Sequence, residues 1–254
     1  MTKTTPRYFE PSSGYEDEAT VQSVDYLKDY SESDHHVVIL DKTICHPQGG
    51  GQPFDTGFMY GESSKTFQIV DVRMERDSEC IRHIGRFSNG QFSAGDVVKI
   101  KIDSEKRFFH CQLHTAGHLV DACLHLLGFH WQPTKGYHFP NGPYVEYKGM
   151  VEQSDVEALK ASLTKKAMEL IEEDIPIKVR LDVCPEEARM LCGELDPMYQ
   201  SVSFLRLVSI GDIFTCPCGG THVESLSQLK SIEIPKIKIQ KSKGVIQVRY
   251  NLIS

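Results

Sequence analysis

The sequence predicts an α+β fold: a small N-terminal β-barrel in residues 1–103, then an α+β region with an antiparallel sheet and a metal-bearing helix in residues 104–254. Short, strand-length apolar segments with few helix signals fill the first region, which is typical of a barrel. Beyond Asp103 the pattern indicates helix, strand, helix, strand, helix and further strands. A chain of 254 residues is long enough for one large domain or two ordinary ones.

Four strand-length segments account for the predicted barrel, and a glycine-rich loop follows the first of them. Gly49, Gly50 and Gly51 in this loop have no side chains, so their backbone N–H groups can closely approach a bound group. A simple hairpin turn is the alternative interpretation of the same residues. The loop lacks the Lys-Ser/Thr ending of a nucleotide-binding loop, so we expect no nucleotide cofactor. The predicted strands are residues 37–40, 67–72, 82–84 and 97–102.

The second region opens with a helix that Asp103 or Ser104 can cap, and Gly128 is placed just beyond its end. Alternating and helix-period segments then follow one another to the end of the chain. They are a β-like stretch at 137–147, a helix opening with a capping box at 154–157, a strand at 177–183, a short helix at 185–193, strands near 205–208 and 213, and a hairpin over 234–250 turning near 243–244.

Composition indicates a globular protein that does not enter a membrane. Hydrophobic residues make up 40% of the chain and charged residues 25%, and no apolar run reaches the length of a membrane span. The first twenty residues resemble neither a signal nor a transit peptide, so the eight cysteines are expected to be reduced and the protein cytoplasmic. The net charge of −7 argues against nonspecific nucleic-acid binding, although it permits a local basic surface.

Two motifs predict a metal site. His114 and His118 are four residues apart on the first helix, so their side chains lie on one face and can share an ion. Cys218 and His222 flank two glycines, which indicates a tight turn that brings thiolate and imidazole together. Three imidazoles and one thiolate suit a tetrahedral Zn²⁺ site, one ion per chain. Cys216 could replace Cys218 as the ligand.

Two other interpretations of such histidines are weaker. A histidine on an apolar helix face is often an ordinary core residue. For His110 and His125, which lack an obvious partner, we expect surface or core packing rather than metal binding. The zinc-protease motif H-E-x-x-H is excluded, because Thr115 follows His114 where that motif has its glutamate. A zinc site of unknown purpose is therefore the conclusion from the residues alone.

Five spaced motifs together resemble a known family. They are the H-T-A-G-H-L run at 114–119, the C-G-G-T-H-V run at 218–223, the L-D-K-T and glycine-rich stretch over 40–57, the I-G-D run at 210–212 and the closing strands over 236–250. These motifs are similar, in the same order and over nearly the whole chain, to those of the alanyl-tRNA synthetase editing domain and its freestanding AlaX-type relatives. The chain departs from the family's usual pattern at His46, where an aromatic residue is common.

The resemblance implies an editing domain in residues 104–254 and a zinc-containing hydrolase that removes a wrongly attached serine or glycine from alanine-specific tRNA. It places Thr43 at the substrate, where its hydroxyl would recognise serine, and Gln48 and Gln52 could contact the terminal adenosine. The tRNA partner suggests phosphate contacts for the basic tail, although a solvated strand face explains the same residues. The tail lysines are Lys236, Lys238, Lys241 and Lys243.

Several alternatives to this function remain open. A zinc-stabilised RNA-binding protein without catalytic activity would keep the same ligands. Editing of a different tRNA is a second alternative, because threonyl-tRNA synthetases carry a related zinc-containing editing-type domain. An esterase for small molecules is a third alternative, although the G-x-S-x-G motif is absent. The length excludes a complete synthetase. The sequence assigns no catalytic residue, no oligomeric state, no preference between serine and glycine, and no role to His138 or Glu146.

Overall fold

The computed structural model of the protein describes residues 3–10, 14–28, 34–75, 77–199 and 202–253. Its contacts divide the chain into two units, Met1–Phe109 and His110–Ser254. The α+β fold class predicted from the sequence is confirmed, with a closed antiparallel barrel, further antiparallel sheets and few helices. No helix within the described ranges has the length and apolar character needed to cross a membrane.

The first unit contains a closed barrel of six strands in the order β2-β3-β7-β6-β5-β8, together with a short parallel pair formed by β1 and β4. Neighbouring strands in the barrel pair in the antiparallel direction. The strands are β1 (Thr5–Pro6), β2 (Glu16–Leu27), β3 (His35–Leu40), β4 (Lys42–Thr43), β5 (Gly57–Tyr60), β6 (Thr66–Glu75), β7 (Cys80–Asn89) and β8 (Val97–Ile102).

Alternation of apolar side chains explains the barrel interior. Along β8 the residues Val98, Ile100 and Ile102 are buried, whereas the intervening side chains are exposed. They join Leu40 and Phe67 in a core enclosed by the six strands. All four predicted strands fall inside observed ones, but β2 and β5 were missed, because β2 is long and largely polar and β5 is only four residues long.

A buried ion pair fixes the end of the glycine-rich loop. Asp55 and Arg107 are almost completely buried, and the guanidinium donates to both carboxylate oxygens through Nε, at 2.9 and 3.0 Å. Arg107 also donates to the carbonyl of Ile44 at 2.6 Å, and Asp55 accepts from the backbone N–H of His46 at 2.6 Å. A buried charge pair requires such additional hydrogen bonds, so these contacts determine the path of the loop.

Among the described residues, the rest of the chain forms two antiparallel sheets and three α-helices. The four-stranded sheet has the order β14-β15-β10-β9, and the three-stranded sheet has the order β11-β12-β13. The elements are α1 (Ser104–Leu126), β9 (Gln132–Tyr137), β10 (Tyr144–Lys148), α2 (Val156–Glu172), β11 (Ile177–Val183), α3 (Pro185–Cys192), β12 (Leu205–Ile210), β13 (Phe214–Pro217), β14 (Ile232–Gln240) and β15 (Val245–Leu252).

Local sequence signals explain both ends of α1, the helix that carries the two histidines. The Asp103 carboxylate accepts the backbone N–H of Lys106 at 3.0 Å, as an N-cap does, and Gly128 has a φ of +82° just beyond the last turn. The predicted capping box of α2 does not form. The Ser154 hydroxyl instead donates to Asp155 at 3.1 Å, and a short 3₁₀ turn precedes the helix.

Candidate metal centre

The four predicted ligands converge on one point. One ligand atom from each of His114, His118, Cys218 and His222 lies within 4.8 Å of the others. The Cys218 Sγ atom is 3.5 Å from Nε2 of His114 and 3.3 Å from Nε2 of His222. Tetrahedral bonds of about 2.0–2.3 Å place neighbouring ligand atoms about 3.3–3.8 Å apart. The geometry and the donor set therefore fit a zinc-sized ion.

The turn that carries Cys218 favours the thiolate. Gly220 donates its backbone N–H to Cys218 Sγ at 3.4 Å, and Arg206 donates to the Cys218 carbonyl at 2.6 Å. Burial alone would raise the pKa of the Cys218 thiol. The charge of the neighbouring His118, the hydrogen bond from Gly220 and the charge of Arg206 together outweigh burial and bring the pKa of Cys218 below its ordinary value. Thiolate is the form that binds metal.

His118 has one ring nitrogen that lacks a partner among the described residues. Its Nδ1 atom lies 3.2 Å from the Asp121 carboxylate, which in turn accepts the Tyr147 hydroxyl at 2.5 Å. Its Nε2 atom is buried and makes no hydrogen bond to any described residue. A carboxylate on one nitrogen and a metal on the other is the usual arrangement of a metal-binding histidine. The unpartnered Nε2 atom is therefore the His118 atom available to bind a metal ion.

His222 is oriented by the first helix. Its Nδ1 atom is 3.3 Å from the Thr115 hydroxyl oxygen, which also accepts the backbone N–H of Val223 at 3.2 Å. Binding of an ion through Nε2 requires the proton on Nδ1, and the Thr115 oxygen is placed to accept that proton in a hydrogen bond. Thr115, one residue after His114, thus holds the cysteine turn against the helix.

A further histidine, to which the sequence assigned no role, packs against the cluster. The ring of His138 stacks on His114, with centroids 4.4 Å apart and planes at 21°. The Tyr250 hydroxyl donates to the Leu113 carbonyl at 2.9 Å, so it accepts from His138 Nδ1 at 2.6 Å. Burial lowers the pKa of His138 to about 3, with a smaller contribution from the charge of His118, which keeps the ring neutral.

Two glycines make room for this ring. A Cβ atom on Gly117 would lie 2.4 Å from the His138 ring, and one on Gly136 would lie 2.5 Å from it. Glycine inside a helix costs about 1 kcal/mol relative to alanine. Gly117, between the two predicted ligand histidines, therefore indicates from the sequence that another residue packs closely against the helix. The sequence does not identify that residue as His138.

Cys216 lies beside the cluster rather than in it. Its Sγ atom is 3.5 Å from His118 Nδ1, the nitrogen that faces Asp121, and the four-ligand group contains Cys218 instead. Burial raises the pKa of the Cys216 thiol, with only partial compensation from His118. The geometry therefore favours Cys218 over Cys216 as the ligand. His125, on the same helix, is exposed and contacts His130.

The residues predicted to contact substrate in the first unit differ in exposure. Thr43 is fully buried, and its Oγ1 atom lies 2.8 Å from His83 Nε2 and 3.1 Å from the backbone N–H of Cys45. Gln52 is also buried, whereas Gln48 is exposed.

The three glycines form a tight turn. Gly49 and Gln52 exchange backbone hydrogen bonds at 3.2 and 2.9 Å, and Gly50 and Gly51 have positive φ values of +56° and +79°. Positive φ at both central positions is typical of a type I′ hairpin turn. The turn interpretation accounts for the conformation of these glycines, and contact with substrate stays a prediction.

The basic tail forms the predicted hairpin. Strands β14 and β15 pair, and Gly244, with a φ of +62°, ends the turn between them. The four tail lysines, at positions 236, 238, 241 and 243, are all exposed on β14 or in this turn. Their contact with RNA stays a prediction.

Comparisons with known proteins first show that the chain is similar to parts of aminoacyl-tRNA synthetases. Residues 4–106 match the family described as tRNA synthetases class II (A), and residues 205–247 match the threonyl and alanyl tRNA synthetase second additional domain. An alanine–tRNA ligase from Leptospira biflexa is 30% identical over 219 residues, which are 81% of this chain and 22% of the ligase.

The particular family follows from two further relatives. The alanyl-tRNA editing protein AlaX-M of Saccharolobus solfataricus is 30% identical over 237 residues, 89% of this chain and 95% of the relative. AlaX-L of Pyrococcus horikoshii is 32% identical over 223 residues, 86% of this chain, which spans about half, 52%, of that relative. The chain belongs to the alanyl-tRNA editing protein family.

Proposed function

We propose that this protein is a trans-editing hydrolase that cleaves the ester between a wrong amino acid, serine or glycine, and alanine-specific tRNA. The convergence of His114, His118, Cys218 and His222, in a chain whose relatives are named alanyl-tRNA editing proteins, is the observation that carries the proposal. A separate editing site has a physical reason. The alanine-binding pocket of a synthetase gains only about 1–3 kcal/mol of discrimination against glycine from one methyl group.

The protein's own residues prepare the centre. Cys218 supplies a thiolate, and Asp121 and Thr115 set the ring orientation of His118 and His222. Bound Zn²⁺ would polarise the ester carbonyl or hold the aminoacyl group. Because four protein ligands fill a tetrahedral site, either one of them yields before substrate or water can bind the ion, or the ion only organises the pocket. Between these roles we favour an ion that binds or orders the substrate over one that activates water.

Thr43 is the residue proposed to recognise the serine hydroxyl. His83 donates from Nδ1 to the Val38 carbonyl at 3.0 Å, so its Nε2 atom accepts the Thr43 hydroxyl proton. The Thr43 oxygen accepts from Cys45 with one lone pair, which leaves the second for a substrate hydroxyl. Because Thr43 is fully buried, that interaction requires a local opening of the barrel wall. Gln48, Gln52 and the glycine turn would contact the terminal adenosine.

Deacylation assays test this proposal directly. Wild type and the Cys218→Ala variant are each mixed with alanine-specific tRNA that carries serine, glycine or alanine. Metal content is measured on the same samples. We expect rapid loss of serine or glycine, sparing of alanine, and no turnover without the metal. The Thr43→Val variant should keep its metal and hydrolyse seryl-tRNA less selectively, with Thr43→Ser as the control. Unchanged activity of Thr43→Val on seryl-tRNA would remove Thr43 from this role.

A non-catalytic zinc-stabilised RNA-binding protein is the second candidate. A filled set of four protein ligands, as found in structural zinc sites, favours it. Bound zinc and tRNA binding without hydrolysis of any of the three substrates would select this alternative.

The tail lysines are proposed to bind the phosphates of the tRNA. Replacing Lys236, Lys238, Lys241 and Lys243 by Ala should flatten the dependence of tRNA affinity on salt, by about one unit of slope for each phosphate that is no longer neutralised. An unchanged slope would place the phosphate-binding surface elsewhere on the protein.

A further inference from the structure

A single row of side chains crosses the whole four-stranded sheet on its outer face. Tyr137 lies opposite Tyr144, Tyr144 opposite Arg249, and Arg249 opposite Lys236. Residues directly opposite each other in antiparallel strands share a face. The next row inward along the strands, which includes Val145 and its partners, is buried on the other face. The row is therefore a continuous feature of the outer surface.

The aromatic end of this row is a stack of nearly parallel rings. The Tyr137 and Tyr144 rings are 5.4 Å apart with planes at 19°, and Phe139 continues the stack 4.7 Å from Tyr137 at 18°. Two cations lie at the Tyr144 end: Lys135 Nζ is 6.0 Å and Arg249 Cζ is 5.9 Å from the ring centroid. All three aromatic residues are half-buried, so part of each remains accessible.

The charge of this surface is opposite to that of the whole chain. Lys135, Arg249, Lys236 and Lys238 share the face with two carboxylates, Glu146 and Glu233, and Glu233 accepts a hydrogen bond from Asn251. Glu146 already accepts hydrogen bonds from Thr134 and Gln247. None of the four cations pairs with a carboxylate of the described residues.

A second aromatic surface, on the barrel, lacks this combination of stacked rings and unpaired cations. Phe58 and Tyr60 on the barrel also stack, with centroids 6.1 Å apart, and they lie opposite Lys101 and Lys99. Both of those lysines form ion pairs with Glu16, at 3.0 and 2.6 Å. The lysines beside the barrel rings are therefore neutralised, and this surface provides a matched control.

We propose that the outer face of the four-stranded sheet, centred on Tyr137 and Tyr144, binds the unpaired nucleotides that lead to the esterified 3′ end of the tRNA. Stacked aromatic rings beside unpaired cations suit single-stranded RNA, whose bases expose flat faces and whose phosphates are anionic. A duplex has no such exposed base faces. This inference rests on the proposed function, because the same tRNA is the partner.

The position of the metal centre supports this choice of segment. The residue after Tyr137 is His138, whose ring stacks on the ligand His114 through the opposite face of the sheet. Strand β9 is also the edge strand of that sheet. Nucleotides attached to an ester at the metal centre can therefore pass around this edge onto the aromatic row.

Binding of uncharged tRNA tests the inference independently of hydrolysis. Fluorescence anisotropy would compare alanine-specific tRNA with the same tRNA lacking its unpaired 3′ nucleotides. Tyr137→Leu should weaken binding of the complete tRNA about tenfold, within the range for removal of one base–ring stack. It should leave binding of the shortened tRNA unchanged. Tyr137→Phe, which keeps the ring, should behave as wild type, and so should the control Tyr60→Leu.

Two further measurements keep the test decisive. Metal content and thermal unfolding of each variant show whether Tyr137→Leu is folded. Lys135→Ala, at an exposed position where packing is not disturbed, should lower the salt slope by about one. Equal binding of complete tRNA by wild type, Tyr137→Leu and Lys135→Ala would overturn the inference, and so would equal weakening on both tRNAs. Failure of the proposed function would instead appear as absent deacylation with normal binding.

Discussion

Two histidines in this protein, His83 in the barrel and His118 in the candidate metal centre, differ in how their ring nitrogens are satisfied. His83 in the barrel uses both ring nitrogens, with Nδ1 3.0 Å from the Val38 carbonyl and Nε2 2.8 Å from the Thr43 hydroxyl. His118 uses Nδ1 toward Asp121, but its Nε2 atom is buried without a partner among the described residues. His83 is fully buried and the His118 side chain is 13% exposed, so the buried nitrogen without a partner, rather than burial itself, is what distinguishes a candidate ligand from a core residue.

The electrostatics of the two rings differ in the same way. Burial lowers the pKa of His83 to about 4, because no anion compensates for the loss of hydration. Burial also opposes protonation of His118, but the neighbouring Cys216, Asp121 and Cys218 outweigh it and raise the pKa of His118 well above its ordinary value. An environment that attracts a proton to His118 also attracts a metal cation.

The largest expected effect comes from removing the thiolate. Cys218→Ala should lower metal affinity by more than the 10- to 100-fold that removal of an outer partner costs, since a ligand itself is removed. Atomic absorption after dialysis against a weak chelator measures the bound metal. Cys216→Ala is the matched control and should retain it. Metal loss in Cys216→Ala with retention in Cys218→Ala would reverse the assignment.

A pH dependence should follow from His83. Its pKa falls from an ordinary 6.5 to about 4 on folding. Between these values the unfolded chain binds a proton that the folded chain does not, so stability is lost as the pH falls from 6.5 toward 4. The shift corresponds to about 3 kcal/mol.

Urea unfolding of wild type and His83→Gln at pH 7, 6, 5 and 4 measures this loss. The variant should be less stable at pH 7 and should lose less stability on acidification. The slope of its unfolding free energy against pH should be smaller than that of wild type, by the equivalent of up to one bound proton. Acid loss of metal affects both proteins and cancels in the difference. Parallel curves would show that His83 does not titrate in this range.

An intermediate effect is expected at Asp121. Asp121→Asn keeps the shape but removes the charge that faces His118 Nδ1. Metal affinity should drop about 10- to 100-fold, the usual cost of removing a carboxylate behind a ligand histidine. Competition with a fluorescent zinc chelator gives the affinity. Asp212→Asn, at an exposed residue, serves as the control, and unchanged affinity in Asp121→Asn would exclude the carboxylate as an orienting group.

The smallest effect concerns the packing of the two glycines against His138. Gly117→Ala should improve helix propensity by about 1 kcal/mol but place a methyl 2.4 Å from the His138 ring. Overpacking costs about 1–3 kcal/mol, so a net destabilisation of about 1 kcal/mol is expected by chemical denaturation. Gly136→Ala should act in the same direction, and His125→Ala, at an exposed site of the same helix, should change little. A more stable Gly117→Ala would mean that the ring moves freely.

Several elements followed from local sequence patterns. The barrel strand at 97–102 has strict alternation, and the histidine helix has recognisable signals at both ends. The shared face of His114 and His118 follows directly from their spacing, because one helical turn needs no distant partner to define it. In contrast, the polar strand β2 was missed, since its pairing with β3 and β8 holds it in place rather than its own composition.

The sequence by itself determined the types and local spacing of the four candidate ligands and the alternation of the barrel strand at 97–102, because each of these depends on neighbours within a few residues. Only the tertiary structure decided that Asp121 and Thr115 lie beside the ring nitrogens of His118 and His222, that His138 stacks on His114, and that Tyr137, Tyr144, Arg249 and Lys236 form one row. The physical reason is separation along the chain: Lys236 is 99 positions from Tyr137, and strand register alone brings them onto the same face.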